Sequence, residues 1–440
     1  MSSAARSQHL IALCASLLVL FAIMLNAEYS SFPAHAQEGI SPYMVQNQSL
    51  FEIQRVFSGI NSSTNIAFLG PDDILALEKV TGQVDRIVNG QMLDEPVVDV
   101  NSYFQDGLIG IDVSKNQNGS TYVFLYFNEA SKKYGADIDD PQEADKVNNT
   151  LGYAREGDRL YRYELVNNKL VNPKLLIDLR APQPNKDLEA QHHGGEVVVG
   201  PDKAVYVIVG DLDGWKYDEK TKAQNYNDGK EPDGRASVLR VTQDGKPVGK
   251  GILGDTYPLN LYYAYGIRNS FGIDFDPVTG NLWETENGPE YGDEINLVLP
   301  GFNSGTDIVQ GMSTEYDELE NLVDFGGKGK YSDPEFVWSI PVAPTAIKFF
   351  NSDKFGPEFK DDVFVADSNH GNIYHFELTK NRTALDLVGP LKDKREDKPD
   401  ESKKVIFATG FGGITDLQVG PDGYLYVLAG DSIYRIVPKA

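Results

Sequence analysis

Short stretches of alternating apolar and polar residues, separated by turns rich in glycine, proline and aspartate, follow one another along the chain. Two of them match closely: GEVVVGPDKAVYVIVGD at 195–211 and TDLQVGPDGYLYVLAGD at 415–431. Each contains an alternating segment, a Gly-Pro-Asp turn, a second alternating segment and a closing Gly-Asp. Alternation with a period of two is typical of a strand with one buried face, and the turn between two such segments predicts a hairpin.

Looser copies of this hairpin are distributed over the rest of the chain, at 65–79, 107–127, 271–288 and 361–378. The turns at Pro71 and Pro421 leave about 70 residues for each of five intervals. A simple propeller repeat has roughly 40 to 50 residues, so each unit has room for a second hairpin and for functional loops.

We therefore predict an all-β protein, a six-bladed β-propeller that forms a single domain over residues 37–440. Four prolines are expected in equivalent turns: Pro71, Pro201, Pro277 and Pro421. The alternative is an array of two-sheet sandwiches in two domains, but no linker-like segment divides the chain. The charged stretch KDKREDKPDESKK at 392–404 predicts a solvated loop inside the repeat series.

Residues 1–36 have the pattern of a secretory signal peptide: a basic residue, an apolar run over residues 10–25, and Ala-His-Ala before the expected cleavage site. The run is shorter than the roughly 20 residues that span a bilayer. The alternative to a cleaved signal peptide is an uncleaved membrane anchor. We expect a secreted or extracytoplasmic protein, in a periplasm-like space or at the cell surface. Because the single cysteine, Cys14, lies in this run, the mature chain has no disulfide and no cysteine metal site.

Charge narrows the expected partners. The formal net charge is −25 at pH 7, which argues against nucleic acid or an anionic membrane surface and suits divalent cations. The 42 glycines, 23 tyrosines and 21 phenylalanines agree with an all-β protein.

Histidine is the first candidate for chemistry, and the opening hairpin is preceded by His192 and His193. Asp211 ends the returning strand of the same hairpin, which could bring its carboxylate beside His192. A carboxylate that accepts from one ring nitrogen prepares the other nitrogen to act as a general base. The alternative is a polar strand end capped by Asp211.

A second candidate site lies in the segment 263–305. Arg268 and Asn269 precede one strand, and Asn-Gly-Pro at 287–289 follows the next, with acidic residues behind it. Backbone carbonyls and carboxylates are hard oxygen ligands that suit Ca²⁺. The alternatives are an acidic turn for the Asn-Gly-Pro segment and an inter-blade salt bridge for Arg268.

Taken in order, these motifs resemble a known family. His-x-Gly-Gly, Gly-Pro-Asp and Gly-Asp are followed by Tyr-Gly-x-Arg-Asn, Glu-x-Gly-Pro and Gly-Asp-Glu-Ile-Asn-Leu. The set is similar to the soluble glucose/sorbosone dehydrogenases that use pyrroloquinoline quinone, and it extends from about residue 66 to 436. The resemblance implies a six-bladed propeller, an aldose substrate, pyrroloquinoline quinone and Ca²⁺ as cofactors, and oxidation of the sugar C1 hydroxyl to a lactone.

The resemblance also implies roles for individual residues. His192 matches the general base, and Asp211 matches the acid that holds it. Gln105 matches a glutamine at the quinone site, and Arg268 and Asn269 match the pair that contacts the quinone oxygens.

The remaining implied positions concern the metal and the pocket wall. Gly288 and Pro289 match backbone ligands of the Ca²⁺ that polarises the cofactor, and Asn287 replaces a residue that varies there. Trp338 matches an aromatic residue at the pocket wall. Glu294 is a candidate ligand of a separate ion, and Ser304 replaces an aromatic residue near this second calcium site, where its backbone carbonyl would still serve.

The chain departs from the family in its last two repeats. Asn369 stands where a lysine is common, and Gly413 and Thr415 stand where two arginines usually bind the quinone carboxylates. His370 is a candidate replacement for one of these cations. The alternative function is therefore a secreted propeller that has lost the quinone and binds a glycan or a protein. A calcium-dependent lactone hydrolase is a third hypothesis, but the motifs supply no set of axial carboxylates for it. The sugar, the electron acceptor and the oligomeric state are left open by the sequence.

Overall fold

The computed structural model describes residues 44–45, 50–103, 107–116, 119–130, 155–180, 191–212, 220–316 and 319–439. Within these ranges the protein is all-β, and its helical segments are short 3₁₀ turns. The named turns are Lys222–Gln224, Leu259–Leu261, Leu319–Asn321, Gly389–Asp393 and Ser402–Lys404. None of the helical segments in these ranges has the length and apolar character needed to cross a membrane. The predicted signal peptide lies outside the described residues.

The described strands form six sheets. The first contains β3 (Ser63–Gly70), β4 (Asp73–Glu78), β5 (Gln83–Val88), β6 (Gln91–Met92) and β7 (Val98–Asp99). The second contains β8 (Leu108–Lys115), β9 (Thr121–Ala130), β10 (Arg155–Val166) and β11 (Lys169–Arg180). The third contains β12 (Val197–Val199), β13 (Val205–Val209), β14 (Ser237–Val241), β15 (Tyr262–Tyr265), β19 (Phe302–Asn303) and β20 (Lys330–Tyr331).

The other three sheets contain the remaining strands. The fourth contains β16 (Ser270–Phe275), β17 (Leu282–Glu286), β18 (Asp293–Val298), β21 (Phe336–Trp338) and β25 (Arg395–Glu396). The fifth contains β22 (Pro344–Phe349), β23 (Val363–Asp367), β24 (Ile373–Phe376), β26 (Ile406–Thr409) and β1 (Met44–Val45). The sixth contains β27 (Ile414–Val419), β28 (Leu425–Ala429), β29 (Ser432–Pro438) and β2 (Phe51–Ser58).

The sheets have a propeller-like arrangement. Their first strands contact one another in cyclic order, β3 to β8, β12, β16, β22, β27 and back to β3. Each of six clusters of buried apolar side chains lies between two consecutive sheets, including one between the sixth sheet and the first. Because β2 pairs with β29, an early strand completes the last sheet and joins the two ends of the described chain.

Five of the six predicted hairpins join the first and second strands of a sheet, and their turns contain the four prolines that were expected to be equivalent. The sixth, at 361–378, is also a hairpin, but it joins the second and third strands of the fifth sheet, β23 and β24. The first strand there, β22, has the sequence PTAIKF. It is followed by a loop of 13 residues instead of a tight turn, so the sequence showed no hairpin signal at that point.

One polar side chain from each first strand, or from the residue just before it, faces the axis of the ring. They are Asn65, Asp112, Glu196, Asp274, Lys348 and Asp416. Three of the carboxylates tie one sheet to a neighbour by accepting a backbone N–H: Asp112 from Val199 at 2.6 Å, Asp274 from Phe349 at 2.8 Å and Asp416 from Ile66 at 2.8 Å. Lys348 Nζ lies 3.3 Å from Asp274 Oδ1. This single cation therefore balances a buried group of carboxylates.

Candidate active site

The candidate site lies at the end of the ring where first strands begin and second strands end. His192 precedes β12, Asp211 follows β13 and Arg268 precedes β16. All three line one cavity of about 620 Å³. The cavity is also lined by Gln191, Pro289, Tyr291, Gly292, Thr306, Asp307, Ile308, Val309, Gln310, Gly311, Met312, Thr314, Val337, Ser339 and Arg395. A concave, mixed apolar and polar cavity on loops from several sheets is the usual setting of a small-molecule site.

His192 is held by a buried carboxylate. Its Nδ1 lies 2.7 Å from Asp211 Oδ1, and the Asp211 side chain is only 1 % exposed. The backbone of His192 has a φ of 60°, which turns the chain sharply before β12. Gly210 permits this approach, because a Cβ there would lie 2.1 Å from the His192 carbonyl oxygen. The hairpin thus brings the two side chains together as the sequence predicted.

Arg268 decides which imidazole nitrogen carries the proton. Its Nη2 lies 3.2 Å from His192 Nε2, and a guanidinium can only donate hydrogen bonds. Nε2 is therefore the acceptor nitrogen, and Nδ1 carries the hydrogen that it donates to Asp211. In this tautomer the basic nitrogen of His192, a residue that lines the cavity, is the one beside Arg268.

The same guanidinium binds two backbone carbonyls. Arg268 Nη1 donates to the oxygens of Asn287 at 2.8 Å and Gly288 at 3.1 Å. Asp293 fixes this loop, since its carboxylate accepts from the Gly288 N–H at 2.8 Å. The carbonyls are thus arranged to face positive charge.

Three buried glutamates lie behind Arg268. Ser304 Oγ donates to Glu286 at 2.6 Å, and Asn296 Nδ2 donates to Glu284 at 2.8 Å and to Glu294 at 2.9 Å. Burial raises the pKa of Glu284 to about 8 and that of Glu286 to about 7, and repulsion between these carboxylates adds to the shift for Glu284. Burial and the neighbouring Glu286 also raise the pKa of Glu294.

These shifts predict a pH-dependent stability. The folded protein keeps protons on Glu284 and Glu286 above the usual glutamate pKa of 4.5, whereas the unfolded chain releases them. The free energy of unfolding should fall as pH rises from about 5 to 8, by up to about 1.4 kcal/mol per pH unit for each proton. Urea unfolding at several pH values measures this slope, which Glu286→Gln should reduce. The exposed Glu377→Gln is the control, and an equal slope in both variants would contradict the assignment.

The residues predicted as calcium ligands lie at or near the cavity. Pro289 lines the cavity and the Gly288 carbonyl faces Arg268. Glu294 Oε1 accepts the Gly311 N–H at 2.7 Å, and Ser304 Oγ lies 3.5 Å from Glu294 Oε2. Across the described ranges no group of three or more His, Cys, Asp or Glu side chains is arranged to hold a metal.

The remaining predicted cofactor contacts are dispersed. Asn269 and Asn287 bind each other, because the Asn269 carbonyl accepts the Asn287 N–H at 2.7 Å. The half-exposed His370 lies on a loop, where its backbone N–H donates to the Asp367 carboxylate at 2.6 Å. Gln105 lies outside the described residues.

Trp338 lies in the hydrophobic core and not at the cavity wall. Its side chain is fully buried and packs against Phe336 and Tyr374, with ring centroids 4.9 and 5.2 Å away. Alternate residues of a strand face opposite sides. Because Val337 and Ser339 line the cavity, Trp338 must face the core, which corrects the predicted contact.

Gly413 and Thr415, where the family resemblance implies arginines, line a second cavity of about 530 Å³. Its other lining residues are mostly small: Gly59, Ile60, Asn61, Ser62, Ser63, Ser368, Gly430 and Asp431. Asn369 donates from its side chain to the Pro341 carbonyl at 3.2 Å. No lysine or arginine is among the described residues that line this second cavity.

Two charged residues of the main cavity were not predicted from the sequence, Asp307 and Arg395. Burial raises the pKa of Asp307, a hydrogen bond with Tyr226 opposes the shift, and repulsion by Asp211 adds to it. Arg395 belongs to the stretch 392–404, which is not the fully solvated loop that was predicted. Within this stretch, Arg395 and Glu396 form β25, which pairs with β21, and the Glu396 side chain is buried. Mixed lysine, aspartate and glutamate in this stretch concealed a two-residue strand.

Comparisons with known proteins agree with this arrangement. The glucose/sorbosone dehydrogenase family profile matches residues 60–437. The chain is 25 % identical to aldose sugar dehydrogenase YliI of Escherichia coli strain K12 over 394 residues, which cover 85 % of this chain and 89 % of YliI. It is 26 % identical to quinoprotein glucose dehydrogenase B of Acinetobacter calcoaceticus over 323 residues, 68 % of this chain and 62 % of that protein.

The fold is also similar to solved structures. The PQQ-bound aldose sugar dehydrogenase from Streptomyces coelicolor matches with a TM-score of 0.60 at 19 % identity, over 89 % of this chain and 99 % of that chain. The apo aldose sugar dehydrogenase from Escherichia coli matches with a TM-score of 0.63 at 19 % identity, over 88 % and 100 %.

Proposed function

Since the chain belongs to the glucose/sorbosone dehydrogenase family, we propose that it oxidises the C1 hydroxyl of an aldose to a lactone with pyrroloquinoline quinone as the oxidant. The observation that carries this proposal is the acceptor nitrogen of His192, a cavity-lining residue with Asp211 behind it and Arg268 beside it.

His192 is the general base of the proposed reaction. A sugar hydroxyl that takes the place of the Arg268 guanidinium at Nε2 donates to this nitrogen, and the proton moves to it as the C1 hydrogen leaves as a hydride. Asp211 then stabilises the imidazolium, because its carboxylate accepts from Nδ1 at 2.7 Å. The side chains of His192 and Asp211 are only 12 % and 1 % exposed, so the orientation of the base is retained through the step.

The residues of the cavity fit a quinone that carries carboxylates. A volume of about 620 Å³ is within the usual range for a small-molecule site, and Arg268 and Arg395 supply positive charge at its wall. When bound, the quinone supplies the two-electron acceptor for the hydride. The Arg268 guanidinium lies 3.2 Å from His192 Nε2. An oxygen atom of a ligand that binds Arg268 would therefore lie next to His192.

Calcium fits the site only if a bound ligand supplies some of its oxygen ligands. The carbonyls of Asn287 and Gly288 already converge on a cation, Arg268, and hard oxygen atoms of this kind suit Ca²⁺. The described side chains form no complete metal site. We therefore assign Gly288 and Pro289 as partial ligands that need further oxygen atoms from a bound ligand.

Two further proposals concern architecture and location. The six sheets are six blades around one axis, supported by the cyclic contacts of their first strands and by the six clusters between consecutive sheets. The chain is exported, supported by the apolar run in residues 10–25 and the small residues that follow it.

Reconstitution tests the function. The purified chain is mixed with pyrroloquinoline quinone and Ca²⁺, and quinone absorbance and dye reduction are followed with a panel of aldoses. We expect sugar-dependent dye reduction that needs both cofactors and is lost when a chelator removes Ca²⁺. Failure of the wild-type chain to bind the quinone, with binding restored by Asn369→Lys combined with Thr415→Arg, would instead support a propeller that has lost the quinone.

A further inference from the structure

Arg395 is a cation at the wall of the main cavity. It is partly buried and lines the cavity beside Val337, its neighbour in the parallel pairing of β25 with β21. In the described part of the chain its guanidinium forms no ion pair and no hydrogen bond. This is unusual in a protein with a formal net charge of −25.

The surrounding structure holds β25 firmly in place. The Val337 N–H donates to the Lys394 carbonyl at 2.9 Å, and the Ser339 N–H donates to the Glu396 carbonyl at 3.0 Å. Just before the strand, Leu391 is buried in a core cluster. Backbone bonds on both sides of Arg395 therefore fix its position relative to the cavity.

The acidic neighbours of Arg395 are engaged with other groups. Asp393 accepts from the Arg395 backbone N–H at 3.2 Å, Asp397 accepts from Ser339 Oγ at 3.1 Å, and Glu396 contacts Ser402. Lys394 pairs with Glu335 at 2.8 Å. The local carboxylates thus leave the Arg395 guanidinium available to a ligand, although three of them lie within two residues of it in the sequence.

We propose that Arg395 binds a carboxylate of the molecule that occupies the main cavity. A partly desolvated guanidinium is suited to such a group, because it can donate two parallel hydrogen bonds to one carboxylate. The carboxylate can come from the quinone or from an acidic sugar such as a uronic acid. The assignment to the quinone rests on the proposed function. In that case Arg395 supplies a cation that Asn369, Gly413 and Thr415 do not.

The test compares Arg395→Ala and Arg395→Gln with the exposed Lys392→Ala, which removes a neighbouring positive charge outside the cavity. Equal melting temperatures establish that the variants fold. The dissociation constant of pyrroloquinoline quinone is measured by absorbance titration without sugar, and that of glucuronate against glucose by calorimetry. We expect a loss of at least about 10-fold in affinity for one carboxylate ligand in both Arg395 variants, with no change in Lys392→Ala.

The outcomes separate this inference from the proposed function. Weaker quinone binding alone assigns the cofactor as the source of the carboxylate, and weaker glucuronate binding alone assigns the sugar. If the wild-type chain binds quinone and oxidises aldoses while both Arg395 variants bind quinone and glucuronate unchanged, the inference is wrong and the function stands. If glucuronate binds through Arg395 but quinone does not bind, the function fails and the inference stands. Binding of neither ligand overturns both.

Discussion

His192→Ala is expected to lower the rate of aldose oxidation by at least about 100-fold, and by up to about 10,000-fold, because a general base contributes this much to a proton transfer. Quinone affinity should change little, since His192 acts on the sugar hydroxyl in the chemical step. Stopped-flow reduction of the bound quinone by saturating sugar measures this step directly. Asp211→Asn should cause a smaller loss, because it removes the acceptor that orients the Nδ1 hydrogen.

The chain contains a matched control for this variant. His375 forms a similar pair, with Nε2 at 2.9 Å from Asp362 Oδ2, but it lies on β24 and is absent from the lining of the main cavity. His375→Ala should leave the rate of quinone reduction within about twofold of the wild type. An equal loss in the two variants would mean that His192 acts through stability and not through catalysis.

Lys348→Met is expected to cost about 3 to 5 kcal/mol of unfolding free energy at neutral pH, because it leaves buried carboxylates without their cation. Burial opposes the charge on Lys348, but Asp274, Glu196, Asp416 and Asp112 together raise its pKa above the ordinary lysine value. Methionine retains most of the volume, so the loss reports charge and not a cavity.

The pH dependence distinguishes this explanation from general disruption. Burial raises the pKa of both Asp112 and Asp416 to about 6. Protonation of these groups relieves their repulsion, so the cost of Lys348→Met should shrink as the pH falls towards 5. Urea unfolding at pH 5 and pH 7.5 measures the difference. Lys360→Met is the control, because this exposed lysine pairs with the exposed Asp353, and its effect should stay within about 0.5 kcal/mol. A loss that does not depend on pH would contradict the electrostatic account.

The hairpins and the central pair of the site could be predicted from the sequence because both depend on local order. Alternation sets which face of a strand is buried, and a tight turn returns the chain beside itself. His192 and Asp211, at the two open ends of one hairpin, were therefore bound to meet, and the structure places them 2.7 Å apart. The family motifs around Arg268 lie in a similar hairpin, which explains why Arg268, Asn287 and Gly288 were found together.

The tertiary structure decided the features that depend on contacts between distant segments. The tautomer of His192 is set by Arg268, 76 residues away. Trp338 lies outside the cavity wall because its three-residue strand pairs with β18 in a single orientation. Arg395 reaches the cavity only through the parallel pairing of β25 with β21. No periodicity marks a two-residue strand in a charged stretch. The sequence by itself determines local hairpins and the residues at their ends, whereas the packing of sheets determines which distant charges share a cavity.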